Sequence, residues 1–217
     1  MNIEQARFNM VEQQIRTWNV LDQQVLDMLL DMRREEFVPA AYRDQAFVDM
    51  EIPLGHDEVM LTPKLEARII QELAIKKTDR VLEVGTGSGY MTAMLARGAE
   101  HVYSVEIVPE FKSQAEEKLR AHGVHNVTLE LGDASHGWNR HGTYDVIVLT
   151  GSVPVLPEAF LASLNKGGRM FAVLGDAPVM EGTLVTCLGE GACRTANLFE
   201  TCIPPLRNAL QPQRFVF

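Results

Sequence analysis

The sequence predicts an α/β fold, a doubly wound and mostly parallel seven-stranded sheet with helices on both faces, and three observations carry that prediction. The short apolar stretch Val81 to Val84 runs into Gly85, Gly87 and Gly89 and then into the helix-like Tyr90-Met-Thr-Ala-Met-Leu-Ala96. Strand, tight turn and helix in that order open a βαβ unit. Strand and helix patterns then alternate along the chain, which a parallel sheet with crossover helices requires. Tyr144 to Leu149 is an almost unbroken apolar run, the pattern of a strand buried on both faces.

Taken in order, residues 8–55 read as a helical region. Phe8, Met10, Val11 and Ile15 suggest one helix that breaks near Asn19, and Leu21, Val25, Met28, Leu29 and Met32 repeat with helical spacing in a second, closed by Arg33-Arg-Glu-Glu-Phe-Val-Pro39. Ile52-Pro-Leu-Gly55 marks an extended segment and turn. Thr62 followed by Pro63 reads as N-cap then first helical residue, with Leu65, Ile69, Ile70 and Leu73 as the buried stripe. After the glycine turn come a strand ending at Glu106, a helix over 109–121, strands over 126–131 and 144–149, a helix over 157–164, a Lys166-Gly-Gly168 turn and a strand over 169–174. Residues 183–188 and 193–202, around Gly189-Glu-Gly191, read as a closing antiparallel hairpin. The chain is expected to form one domain, with residues 1–60 as a helical cap region and 61–217 as a cofactor-binding core.

Bulk properties narrow the function. Hydrophobic content of 46% and charged content of 23% are those of a soluble globular protein. No run approaches the roughly eighteen apolar residues of a membrane span, and the N-terminal residues lack a basic-then-apolar export pattern, so a cytoplasmic protein without a membrane partner is expected. A net charge of -9 argues against an extended nucleic-acid surface. Cys187, Cys193 and Cys202 lack metal or disulfide spacing. They read as buried or half-buried thiols in a reducing compartment.

The glycine turn carries the chemistry. Its three glycines alternate, so the third comes one residue earlier than in a dinucleotide fingerprint, and Glu83 stands two residues before the first. A pyrophosphate would be repelled there, whereas the ammonium and sulfonium of S-adenosylmethionine would be favoured. Glu106 ends the next strand about twenty residues on, where such sites hold a ribose diol.

In this order Val81-Leu-Glu-Val-Gly-Thr-Gly-Ser-Gly-Tyr90, Ser104-Val-Glu106, Gly132-Asp133, Tyr144-Asp145 and Leu164-Asn-Lys-Gly-Gly168 resemble the motifs of class I S-adenosylmethionine-dependent methyltransferases, with their Rossmann-like sheet. Outside those motifs, Arg33-Arg-Glu-Glu-Phe-Val-Pro39, Ala41-Tyr-Arg-Asp-Gln-Ala46, Ile52-Pro-Leu-Gly55, Val153-Pro-Val-Leu-Pro157 and Ile203-Pro-Pro-Leu206 are similar to protein-L-isoaspartate (D-aspartate) O-methyltransferases. The resemblance covers nearly the whole chain. It implies that the methionyl moiety lies over Glu83, Gly85, Thr86 and Gly87, in the loop that continues through Ser88 and Gly89. The ribose then falls at Glu106 and the adenine beside Ile107, Asp133 and Ala134. It further implies isoaspartyl-containing proteins as substrates, esterified for repair, with S-adenosyl-L-homocysteine as product and no metal.

The chain departs from the family on the substrate side. The serine of an Ile-Ser-x-Pro-like segment is here Leu61, and Gly55-His-Asp-Glu58 replaces a Gly-x-Gly-Gln-like stretch. Thr62 next door, which also reads as a helix cap, or Ser152 in Thr150-Gly-Ser152, is the expected alternative hydroxyl, and His56 and Asp57 are further candidates for substrate contact, although a loop histidine is more often solvated. His136 and His141, flanking Trp138, lack metal spacing. An isoaspartyl carboxylate is already ionised at neutral pH, so the reaction needs positioning rather than a general base. Two other readings stay open: a methyltransferase with a different acceptor, and a non-catalytic S-adenosylmethionine-binding protein. A tRNA methyltransferase is opposed by the acidic charge.

Overall fold

The computed structural model describes residues 2–189 and 192–212. The N-terminal region is more broken than the helical spacing suggests. Helix α1 (Ile3–Met10) is capped by the Asn2 side chain and passes through a wide turn, Val11–Ile15, and a tight one, Arg16–Trp18, before Asn19 turns left-handed at φ 60. Helix α2 (Gln23–Asp31) starts where Asp22 accepts from the Gln24 N–H, which leaves Leu21 exposed ahead of the helix and outside its apolar stripe. Nor does α2 run on to Pro39. The chain extends at Met32 and restarts as α3 (Arg34–Phe37), turning Arg34 and Phe37 inward. Val38 is extended ahead of Pro39, as a residue before proline prefers.

Strands β1 (Ile52–Gly55) and β2 (Glu58–Met60) form an antiparallel hairpin. Its turn residues, His56 and Asp57, both have positive φ, 53 and 63. Helix α4 (Pro63–Leu73) follows with Pro63 in its first turn and Thr62 at the cap position, but the Thr62 hydroxyl makes no capping bond and is buried without a partner. The reason is local: the Leu65 and Glu66 N–H groups already donate to the Thr62 carbonyl.

The sheet comprises β3 (Arg80–Val84), β4 (His101–Glu106), β5 (Val127–Leu131), β6 (Tyr144–Leu149), β7 (Leu164–Asp176), β8 (Val179–Gly189) and β9 (Ala192–Thr201) in the order β5-β4-β3-β6-β7-β8-β9. Strands β5 to β7 along that order pair in parallel, while β8 and β9 pair antiparallel. Helices α5 (Tyr90–Gly98), α6 (Pro109–Ala121) and α7 (Glu158–Ala162) lie in the crossovers. The expected turn at Lys166-Gly-Gly168 is absorbed into β7: Tyr144 pairs with Leu164 and Val146 with Arg169, so the residues between bulge out through Gly167 at φ 80. The closing hairpin is longer than its apolar pattern indicated, and its Glu190 and Gly191 lie outside the described residues.

Period-two alternation sends side chains to both faces. Val81, Val146, Val148 and Phe171 join the N-terminal helices, α4 and α5 in one core, whereas Leu82, Ile147, Leu149 and Met170 pack with Trp138 and Phe160 in the other. The chain winds from β3 outward to β5, then returns to the other side of β3 with β6. That reversal opens a crevice at the carboxyl ends of the strands. Among the described residues no helix is long and apolar enough to cross a membrane.

Phe37 docks the N-terminal region on this frame. It is fully buried, its ring meets Tyr90 edge-on at 5.4 Å and lies 4.6 Å from His122, and its carbonyl accepts from the Lys118 ammonium at 2.7 Å. Phe37→Ala is expected to lower stability in urea by about 3–5 kcal/mol, and a loss below about 1 kcal/mol would show that the docking rests elsewhere.

Candidate active site

Where β3 ends, the backbone turns left-handed at Gly85 (φ 97), Gly87 (φ 52) and Gly89 (φ 84), which directs the chain into α5. A Cβ at Gly85 would strike the Thr150 hydroxyl, which reaches the Val84 and Gly85 carbonyls at 2.9 and 2.8 Å. Glu106, at the tip of β4, fixes the turn from the other side. Its two carboxylate oxygens accept from the Gly87 N–H at 2.8 Å and the Val108 N–H at 2.9 Å, and it is only 4% exposed. Each oxygen retains a second lone pair, so the group holds the loop and still has acceptor capacity.

Glu83 does not line the cavity that this turn borders. It points behind the loop, where one oxygen accepts from the Thr92 hydroxyl at 2.5 Å and the Ser104 hydroxyl at 2.6 Å, and the other has no partner. Thr86 extends the chain of hydroxyls, 2.6 Å from Ser104. Complete burial pushes the Glu83 carboxyl up to about 8, against the lowering effect of the two hydroxyls. The shift favours the neutral form near pH 7 and the side chain faces away from the cavity, so Glu83 does not present there the charge expected of it. The reason is geometric, since strand alternation turns its side chain inward while the glycines turn the backbone out.

The carboxylates that do line the cavity are Glu58, Glu66, Glu106 and Asp133. Glu66 was not apparent as a site residue, although it interrupts the apolar stripe of Leu65, Ile69, Ile70 and Leu73, and an acid on a buried helix face is the signal that could have found it. It pairs with Arg34, also fully buried, whose guanidinium further donates to the Ala46 carbonyl at 2.9 Å and the Leu61 carbonyl at 2.7 Å and stacks over the Tyr90 ring at 5.0 Å. Burial pushes the Glu66 carboxyl up to about 7 despite the pull of Arg34.

The roof comes from both parts of the chain. Ser152 is fully buried and outside the cavity; its hydroxyl donates to the Ile203 carbonyl at 3.1 Å, its N–H to the Pro204 carbonyl, and its carbonyl accepts from Leu206. That corrects its expected role, because the hydroxyl is spent laying residues 203–206 over the end of β6. Asp133 continues the strap, accepting from the Asn208 amide at 2.7 Å and the Ser135 N–H at 3.0 Å. His136 meets the Asn208 carbonyl at 2.9 Å, while His141 stacks on Tyr103 at 4.1 Å and meets Glu130. From the other side the β1–β2 hairpin leans in, with His56 edge-on to Phe111 at 5.4 Å.

Of the residues expected from sequence, Leu61, Gly85, Thr86, Gly87, Ser88, Glu106, Ile107, Asp133 and Ala134 border one cavity. Gly89 caps α5 and packs against Ala115 instead, and Thr62 and Ser152 lie outside the wall. Apolar side chains of Leu54, Met60, Leu61, Met91, Phe111 and Leu206 complete it. The result is a pocket with an acidic wall, a turn of open backbone and an apolar lining, suited to a cationic ligand with a diol.

A family model described as protein-L-isoaspartate(D-aspartate) O-methyltransferase matches residues 5–186. The chain is 38% identical over 158 residues, 73% of its length and 76% of the relative's, to a protein-L-isoaspartate O-methyltransferase of Vibrio parahaemolyticus. It is 33% identical over 205 residues, 90% of its length and 94% of the relative's, to one from Syntrophus aciditrophicus. Among solved structures, a protein-L-isoaspartate O-methyltransferase aligns with TM-score 0.79 and 24% identity over 92% of this chain and 65% of that one. One from Plasmodium falciparum in complex with S-adenosyl-L-homocysteine aligns with TM-score 0.76 and 19% identity over 95% and 99%. Both structural likenesses concern the fold.

The buried carboxyl gives a pH test. With its folded pKa raised to about 8 from an ordinary 4.5, Glu83 keeps a proton in the folded state that the unfolded chain has released. Its stabilisation is complete below about pH 4.5 and is lost as pH rises to about 8. Between those limits the wild type is expected to lose on the order of 4 kcal/mol more stability than Glu83→Gln. Parallel urea-midpoint profiles for the two proteins would show that the carboxyl is already ionised at neutral pH.

Proposed function

Because the chain belongs to the protein-L-isoaspartate(D-aspartate) O-methyltransferase family and is therefore an S-adenosylmethionine-dependent O-methyltransferase, we propose that its cavity holds the cofactor along the ends of β3, β4 and β5 and takes the isoaspartyl carboxylate of a damaged protein beneath the β1–β2 hairpin. The observation that carries this reading is the Glu106 carboxylate, fixed by two backbone N–H groups in the glycine turn yet with lone pairs to spare. Those lone pairs suit the two ribose hydroxyls. Ile107, Asp133 and Ala134 would flank the adenine, and the turn from Gly85 to Ser88, with Glu66 across the cavity, would hold the methionyl end. When bound, S-adenosylmethionine supplies a methyl group made electrophilic by its sulfonium.

The chain's own residues orient and exclude water. A carboxylate acceptor arrives ionised, so no side chain has to remove a proton. Leu54, Met60, Leu61 and Leu206 keep the approach dry, which strengthens every charge interaction there. Thr62 and Ser152 are not needed as substrate hydroxyls in this scheme: Leu61 contributes an apolar wall, and Ser152 supports the roof. Residues 1–60 act as a cap on the core of residues 61–217, and the cytoplasm, whose reducing conditions suit free Cys187, Cys193 and Cys202, is the compartment. The apolar Met60-Leu61 wall favours one second reading, transfer to a carboxylate outside an isoaspartyl linkage.

The experiment supplies methyl-labelled S-adenosylmethionine with matched isoaspartyl and aspartyl peptides and counts methanol released by base. Label on the isoaspartyl peptide alone is expected; cofactor binding with no ester on that peptide sinks the reading. Glu106→Ala is expected to weaken S-adenosyl-L-homocysteine binding by about 10- to 100-fold in calorimetry, the weight of hydrogen bonds to a charged group. Unchanged affinity would remove Glu106 from the site.

A further inference from the structure

Among the described residues lining the cavity, one carries a positive charge. Arg207 stands in the roof of a cavity whose other charged lining residues are Glu58, Glu66, Glu106 and Asp133. An acidic wall suits a cationic cofactor but repels an anionic acceptor, and the repulsion is strongest where water is excluded. Arg207 is the group that can reverse the sign locally. It is not free: its Nε donates to the Glu58 carboxylate at 2.6 Å, and its guanidinium also reaches the His56 carbonyl. The pair closes the roof strap onto the tip of the β1–β2 hairpin, at the side of the cavity lined by Leu54, Met60 and Leu61. Arg207 remains 40% exposed and Glu58 30%, so an incoming carboxylate can reach the guanidinium. A guanidinium offers a planar fork of donors that one carboxylate engages well, and two carboxylates compete for it.

We propose that Arg207 is the specificity residue for the acceptor's carboxylate, and that Glu58 occupies it in the free protein as an internal surrogate which the substrate displaces. The inference rests on the proposed reaction and adds the group that selects its substrate. The hairpin tip supports the exchange. His56 and Asp57 turn the hairpin at positive φ, a region that histidine and aspartate enter more readily than most residues, and the Arg207 contact to the His56 carbonyl fixes that turn. An acceptor that takes the place of Glu58 therefore meets a guanidinium still anchored to the hairpin tip through the His56 carbonyl.

The test measures KM and kcat for an isoaspartyl peptide, the affinity of that peptide by fluorescence anisotropy with S-adenosyl-L-homocysteine present, and the affinity of S-adenosyl-L-homocysteine alone, in wild type, Arg207→Ala, Glu58→Gln and the double variant. Arg207→Ala is expected to raise KM and the peptide Kd about tenfold or more, with kcat and S-adenosyl-L-homocysteine affinity within about twofold of wild type. Glu58→Gln is expected to lower both peptide constants several-fold, and the double variant to behave as Arg207→Ala, because the competition needs both partners. Peptide constants unchanged in Arg207→Ala overturn the inference. So does a parallel loss of S-adenosyl-L-homocysteine affinity, which marks Arg207 as a mere support of the wall, and so does weaker peptide binding in Glu58→Gln. Wild type that forms no ester on the isoaspartyl peptide removes the proposed reaction and the inference with it; ester formation with unaltered constants removes the inference alone.

Discussion

The hydrogen bond from the Gly87 N–H to the Glu106 carboxylate is the constraint on which the site depends. A glycine turn alone is pliable, since its residues adopt positive φ at little cost and have no side chain to lock them. Glu106 removes that freedom by binding Gly87 with one oxygen and Val108 with the other. The ends of β3 and β4 are thereby set at fixed separation, and α5 and α6 start from fixed points. Thr150 performs the matching task from β6 by bonding to the Val84 and Gly85 carbonyls. Three adjacent strands are tied at their carboxyl ends, where this class of sheet opens its crevice.

A second constraint lies beneath the cap. Two fully buried side chains, Arg34 of α3 and Glu66 of α4, pair with one another, and the other two guanidinium nitrogens of Arg34 donate to the Ala46 and Leu61 carbonyls. Burying such a pair yields little net stability compared with apolar packing, but leaving either partner alone is very costly. Its effect is registration. The guanidinium fits only if the segments around Ala46 and Leu61 and the first turn of α4 are all in place, so it fixes the height at which Leu61 and Glu66 face the cavity.

The order of elements was legible because it is written in periodicity. Val81 to Val84, Tyr144 to Leu149 and the helix over 109–121 differ so clearly in period that their boundaries follow from the residues. Glu106 was legible too, because it ends a strand at the right distance from the glycine turn. Less legible was direction. Glu83 and Glu106 look equivalent along the chain, yet strand pleating sends one behind the loop and the other onto the cavity wall. Ser152 looked like a substrate hydroxyl, and only the return of residues 203–206 across β6 shows why that position bears one. Glu66 left a trace only as an acid in an apolar stripe and Glu58 only as part of a departing stretch, while Arg207 left none; each gains its role from a partner 32 or 149 residues away, and spacing along a sequence does not name such partners.

That last separation bears on how the protein is made. The strand ends bearing Gly85, Glu106 and Asp133 belong to consecutive βα units, so they come together through contacts local to the middle of the chain. The clasp between Glu58 and Arg207 closes a loop of 149 residues, and pairings of such long range form late because the entropy of the enclosed chain must first be overcome. During synthesis the floor of the cavity can settle while residues 203–208 are still within the ribosome. The floor of the cavity thus depends on contacts within the middle of the chain, whereas its doorway needs residues from both ends of it.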